Sequence, residues 1–227
     1  MKKIGKMNEL AWVFGIVLCS LGVCLCTKAD FGLSMIAAPP YILHLKLVEF
    51  LPWYSQGTSE YIWQGLLLVL MCLITGRFKW HFLLSFAAGI ISGVLIDAWL
   101  FVLGGNAPYI NMESRIAAFV LGESLTGLAI AFYFRTSLPI QIYELVVVQI
   151  AERFSFDKNK TKLYFDIIML VISVVFALVL NRSFTGIGIG TLIITIVNAK
   201  LIAMFGKVLD RFFTFEERFG KTKIWFK

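Results

Sequence analysis

Ser85, Gly89, Gly93 and Asp97 recur every four residues and end in a carboxylate. That spacing puts all four on one helix face. Small residues let another backbone approach closely, and an ionisable group in lipid needs a partner or a task. Asp97 therefore belongs either to a path for a polar solute or to a packing seam in which a hydroxyl caps it. A second small and polar face follows near the end of the chain, formed by Gly188, Thr191, Thr195 and Asn198. The run Gly186-Ile187-Gly188-Ile189-Gly190-Thr191 before it either leaves backbone groups free near a solute or packs closely through glycine. It is not a phosphate loop, because it lacks the Walker lysine and no strand precedes it.

Three further ionisable residues lie in apolar surroundings. Glu123 and Lys200 form a candidate buried pair, since pairing lowers the penalty on both. A Glu123 that faces water without a partner is instead a candidate proton carrier. Glu144 sits in Ile142-Tyr143-Glu144-Leu145, within a Pro-bearing segment of the kind that exposes helix ends to an ion or polar group. Lys28 and Arg135 read as side chains snorkelling to the interface. His44 and His81 stand apart, so no metal site is expected. Cys19, Cys24, Cys26 and Cys72 lie within apolar runs, where a thiol packs as a small apolar group. Trp63 and Trp99 are deep enough to face a cavity.

The elements that must position these residues follow from composition. The chain has 227 residues, of which 59% are hydrophobic and 15% charged. Its mean hydropathy is +0.83. A soluble domain of this size cannot hide so much apolar surface. Six runs, near residues 10–27, 60–76, 82–104, 116–134, 163–180 and 187–206, approach the length that crosses a bilayer. Met1-Lys2-Lys3 before the first run has the layout of a signal peptide, but no small-x-small cleavage site follows, so an uncleaved first helix is expected.

The net charge of +7 does not point to nucleic acid, because the cations gather at span ends. Lys2, Lys3 and Lys6, then Arg77 and Lys79, then Arg153, Lys158, Lys160 and Lys162, then the tail, form four basic clusters. Loops 50–59 and 105–114 hold none. The positive-inside rule makes the clusters and both termini cytoplasmic. This works only if segments 31–48 and 138–152 re-enter, since eight crossings would put Arg77 and Lys79 outside. Pro39-Pro40 and Pro139 interrupt these two segments.

Three spans per half makes the halves antiparallel. The expected fold is an all-α integral membrane protein with six transmembrane helices and two re-entrant or broken segments in an inverted repeat. One membrane domain covers 1–206, with repeat 1 at about 10–104 and repeat 2 at about 116–206. Gly89 then aligns with Gly190, and Asp97 with Asn198. Residues 207–227 alternate aromatic or aliphatic groups with charges, as in a basic amphipathic tail at the cytoplasmic surface.

These elements resemble the YczE/YitT-like family of bacterial multi-spanning membrane proteins. The likeness rests on Lys28-Ala29-Asp30-Phe31-Gly32-Leu33-Ser34, Ile96-Asp97, Gly188-Ile189-Gly190-Thr191 and the stretch from Leu138 to Glu144. The chain departs from the family at Met35-Ile36-Ala37, where Pro-Trp-Asp is usual, and at Pro139 and Ile142. The resemblance implies a location in the cytoplasmic (inner) membrane and a transporter-like fold.

The leading functional expectation is a small secondary transporter or permease that moves an unidentified small solute by alternating access. In it, polar stripes from the two halves face each other around a midplane cavity. The alternatives are a substrate-binding membrane subunit that hands a vitamin-type solute to an ATPase module, and a non-transporting accessory protein. An enzyme is not expected, since His-Glu-x-x-His is absent and Leu121-Gly122-Glu123-Ser124-Leu125 is no nucleophile elbow. No cofactor is expected. The partners are the lipid bilayer, the solute and a possible second copy.

Overall fold

The computed structural model describes residues 8–136 and 138–215. It contains eight α-helices: α1 Asn8–Ala29, α2 Ala38–Leu47, α3 Gln56–Thr75, α4 Phe82–Val102, α5 Met112–Tyr133, α6 Ile142–Phe154, α7 Lys158–Phe176 and α8 Ile189–Phe212. A π-helical turn, Ala177–Asn181, extends α7. Six helices, all but α2 and α6, are long and apolar enough to cross a membrane. The order long, short, long, long occurs twice.

Local signals set several boundaries. Ser55 caps α3 by accepting from Thr58 N, and Asp157 caps α7 by accepting from Lys160 N. Gly76 ends α3 in a left-handed conformation. α3 begins at Gln56, four residues before the expected span. α8 continues to Phe212, so residues 207–212 belong to the last helix rather than to a separate tail. The rest of the proposed tail, from residue 216, lies outside the described residues.

The two short helices enter and leave on one side each. Arg135 and Thr136 follow α5 and touch Asp210 and Asn8, at the end of α8 and the start of α1. This face is the terminal side. The chain then dips inward, and Ile142 N donates to Gln64 in the middle of α3. α6 returns to the terminal side, where Arg153 Nε donates to the Thr75 carbonyl at the end of α3. Opposite, Lys28 Nζ reaches the Gly105 carbonyl on the far side. Ile36 packs deep against the cluster of Trp63, Ile142 and Tyr143, and α2 then climbs back so that His44 meets the Tyr54 carbonyl and Asn106. At 1.5 Å per residue, helices of 10 and 13 residues are roughly half a bilayer long.

Gly32, with φ 101°, makes the turn into the first dip, and a Cβ there would strike Gly188 N and Thr191 Oγ1. Lys28 does not snorkel: it is buried between the Gly105 carbonyl and the Tyr109 ring. Arg135 reaches the terminal surface, where it makes two 2.6 Å contacts with the exposed Asp210. A carbonyl and a ring face within reach satisfy the Lys28 cation without a path to water.

The helices pack through glycine seams. α1 and α5 approach at Gly22 and Gly122, and α3 and α4 at Gly57 and Gly93. The halves are not packed alike. α3 lies against α4, whereas α7 lies against α2 and α6, α8 lies against α5, and α7 and α8 are not neighbours. Only 22% and 17% of their apolar windows are buried.

Two outcomes are expected. In a cysteine-free background, Thr136→Cys and Ser155→Cys, which flank α6, react with an impermeant thiol reagent from one face of sealed vesicles, and Ser183→Cys reacts from the other. Labelling of the first two from opposite faces would mean that α6 crosses. Gly122→Leu forces α1 from α5 and lowers stability by about 1–3 kcal/mol, seen as a lower melting temperature in detergent.

Candidate functional site

The middle of the molecule carries more hydrogen-bonding groups than a packing core needs. Glu60 on α3 is 8% exposed, and its Oε1 accepts from Tyr143 Oη at 2.8 Å and from Gln64 Nε2 at 3.1 Å. The Gln64 amide oxygen accepts from Ile142 N at 3.3 Å, and Gln141 Nε2 donates to Ser92 Oγ at 3.0 Å. Trp12 Nε1 donates to the Pro139 carbonyl at 2.7 Å. Side chains of α1, α3 and α4 thus take up the polar groups of a chain turning round at mid-depth. Gly89 makes room for this, since a Cβ there would meet the Gln64 amide.

The opposite turn is satisfied differently. Pro39 and Pro40 occupy the first turn of α2 and bring no N–H, which removes donors that a helix start normally leaves orphaned. Ser59 Oγ donates to the Pro40 carbonyl at 2.5 Å. Neither short helix therefore opens a full set of N-terminal amides toward an anion.

Three carboxyl groups from three helices lie within electrostatic reach of Cys19 of α1. Glu60, Glu123 and Glu144 each lie near enough to act on its thiol electrostatically. Glu123 Oε1 and Glu144 Oε2 are buried without a hydrogen-bond partner. Lys162 lies within electrostatic reach of Glu144 but pairs with Asp166 at 2.9 Å. Among the described residues, no ion pair includes any of the three acids, and no group of three acid, thiol or imidazole side chains is arranged to hold a metal ion. The Glu60 oxygen is met by neutral donors, which leaves it usable as either carboxylate or acid.

The other residues singled out from the sequence lie elsewhere. Asp97 is at the far end of α4 and accepts from Ser55 Oγ at 2.5 Å and Gly57 N at 2.8 Å, so it closes the start of α3. Gly93 sits in the seam beneath it. Glu123 and Lys200 do not pair, because Lys200 projects outward from α8 while Glu123 is 5% exposed. Thr195 also faces outward, and its hydroxyl returns to the Thr191 carbonyl at 2.8 Å. Thr191 is buried and receives Gly188 N. Gly188 and Gly190 pack on the Phe31–Gly32 backbone, and Gly190 N donates to the Phe31 carbonyl at 2.7 Å. The glycine run is thus a packing joint. Asn198 Oδ1 is buried and unpaired. The stripes on α4 and α8 do not face each other, because those helices are not neighbours. Trp63 and Trp99 do not open on a cavity either. Trp63 is packed in the core cluster beside Phe176, and Trp99 lies against Cys24 and Ile96. Two open grooves, of about 360 and 640 Å³, lie on the far side along residues 180–189.

Sequence reasoning missed Glu60, Gln64, Gln141 and Ser92. The available signal was an acid and an amide four residues apart in α3, facing a Pro-bearing segment that holds Gln141 and Tyr143. It was hidden because Glu60 coincided with the expected start of the span.

A model described as a family of unknown function (DUF6198) matches residues 6–207. The chain is similar to the uncharacterized protein YyaS of Bacillus subtilis (strain 168), at 29% identity over 218 residues, covering 94% of this chain and all of that one. No solved structure matches.

Glu60→Ala is expected to remove about 2–4 kcal/mol, because two buried donors lose their acceptor at once. Glu60→Gln keeps an acceptor oxygen and is expected to remove less than half as much. Tryptophan fluorescence during heating in detergent measures both, and equal losses would show that the acceptor does not matter.

Proposed function

We propose, for a chain that belongs to the DUF6198 family of unknown function, that it is a small secondary transporter which moves a solute across the membrane by alternating access. The observation that supports this reading is the pair of half-helices entering from opposite faces and ending at mid-depth, in a protein whose Glu60, Glu123 and Glu144 join no ion pair among the described residues. Inverted repeats with interrupted helices are a common plan for transporters with a midplane site. A purely structural bundle has no use for buried carboxyls left unpaired, since each is expensive in hydrocarbon.

The basic clusters on the terminal side make both termini cytoplasmic in this reading and place the chain in the cytoplasmic (inner) membrane of a bacterium. The likeness to YczE/YitT-like proteins belongs to the same proposal, as does the absence of enzymatic activity. One domain carries the function, with no cofactor, and its partners are lipid and a small solute. Glu60, Glu123 and Glu144 replace the facing stripes as the centre of the proposed path. Asp97 becomes a positioning residue that holds α3 against α4.

Purified protein is first screened by thermal shift against amino acids, vitamins and organic ions, and hits are then tested for uptake into proteoliposomes. Glu123→Gln is expected to reduce uptake by at least about ten-fold while the size-exclusion profile stays unchanged. Asp97→Ala is expected to lower stability instead, by about 1–2 kcal/mol through loss of the helix cap. Full uptake by Glu123→Gln combined with Glu60→Gln would rule these acids out of the path.

A further inference from the structure

We propose that Glu123 is the proton-binding group of this protein, and that the ion coupled to solute movement is H⁺. The inference rests on the transport reading above and deepens it by naming the coupling ion.

Glu123 differs from the other two acids in what surrounds it. α1 and α8 pack against α5. From α1 the titratable groups near it are the thiols of Cys19 and Cys26. From α8, Lys200 is directed away and makes no pair with it, and no charged side chain of either helix acts on Glu123. Its Oε1 is buried with no donor in reach. A charge on Glu123 has no counter-charge in an ion pair and leaves one buried oxygen without a donor, and adding a proton removes that charge.

A second orphan lies along the same seam. Gly190 of α8 packs on Phe119 of α5, and Gly127 of α5 packs on Leu201 of α8. Glu123 and Asn198 both fall between these contacts, and Asn198 Oδ1 is also buried and unpaired. The Asn198 amide carries an acceptor oxygen and N–H donors, so a side chain of this kind on the facing helix can accept from the acid and donate to the carboxylate. In the first half the residue aligned with Asn198 is Asp97, which is satisfied by the start of α3. α7 stands away from α8, so Asn198 has no such neighbour.

Larger cations fit less well. A divalent metal ion favours several charged or imidazole ligands at once, and no group of three acid, thiol or imidazole side chains is arranged to hold one among the described residues. A proton needs no cage. Loading forms one O–H bond on the Glu123 carboxyl with a proton from water on one side. Release breaks that bond and returns the proton to water on the other side, and no electrons move.

The test uses the whole protein in proteoliposomes and dicyclohexylcarbodiimide. This apolar reagent adds to a protonated carboxyl, whose proton passes to a carbodiimide nitrogen. Mass spectrometry of peptides is expected to find the adduct on Glu123. The yield should fall about ten-fold for each pH unit above the titration midpoint, and the Glu123 adduct should persist in Glu60→Gln. Glu123→Asp, which keeps the acid if Glu123→Gln fails to fold, is expected to label at the same position. No adduct on Glu123, or a yield unchanged from mildly acidic to mildly alkaline buffer, overturns the proposal. Labelling does not depend on the solute. A labelled Glu123 in a protein that moves nothing would therefore condemn the transport reading and leave the proton site standing.

Discussion

A chain that reverses direction inside hydrocarbon must satisfy its own backbone, because no water is there to do it. Everything in the middle of this protein follows from that requirement. The turn before α6 is held by Trp12 on the Pro139 carbonyl, Gln64 on the Ile142 amide, and Glu60 on the Tyr143 hydroxyl. The turn before α2 avoids the problem by placing Pro39 and Pro40 where amides would have needed partners. Once both turns are stable, α1, α3, α4 and α5 can close around them through glycine contacts. The acids then stand where they do because α3, α5 and α6 have nowhere else to lie.

The division of labour among the carboxyls also follows from local surroundings. Asp97 meets a hydroxyl and an amide at a helix start, which is an ordinary place for a charge. Glu60 meets two neutral donors and ties α3 to α6. Glu123 meets neither donor nor cation. Residues of the same chemistry at similar apparent depth in the sequence thus serve as a cap, a tether and an unsatisfied group.

Much of the architecture was legible before any coordinates. Six apolar runs gave six long helices, and the distribution of Lys and Arg correctly required residues 31–48 and 138–152 to turn back, because loop charge and prolines act locally. Neighbour relations were not legible. Aligning Asp97 with Asn198 suggested two stripes that face each other, but α4 packs on α1 and α3 while α8 packs on α5. Periodicity tells which residues share a face and nothing about which helix that face meets. The expected Glu123–Lys200 pair failed for the same reason. Glu60 was overlooked because hydropathy places a charged residue at the edge of a span, whereas α3 begins a full turn earlier, capped by Ser55.

The separation of α7 from α8 has a consequence for the medium around the centre. Where α3 and α4 cover each other, α7 and α8 do not meet, and most of their apolar length is left uncovered by the rest of the chain. Such surface gains nothing from water, so these two helices depend on an apolar surrounding rather than on each other.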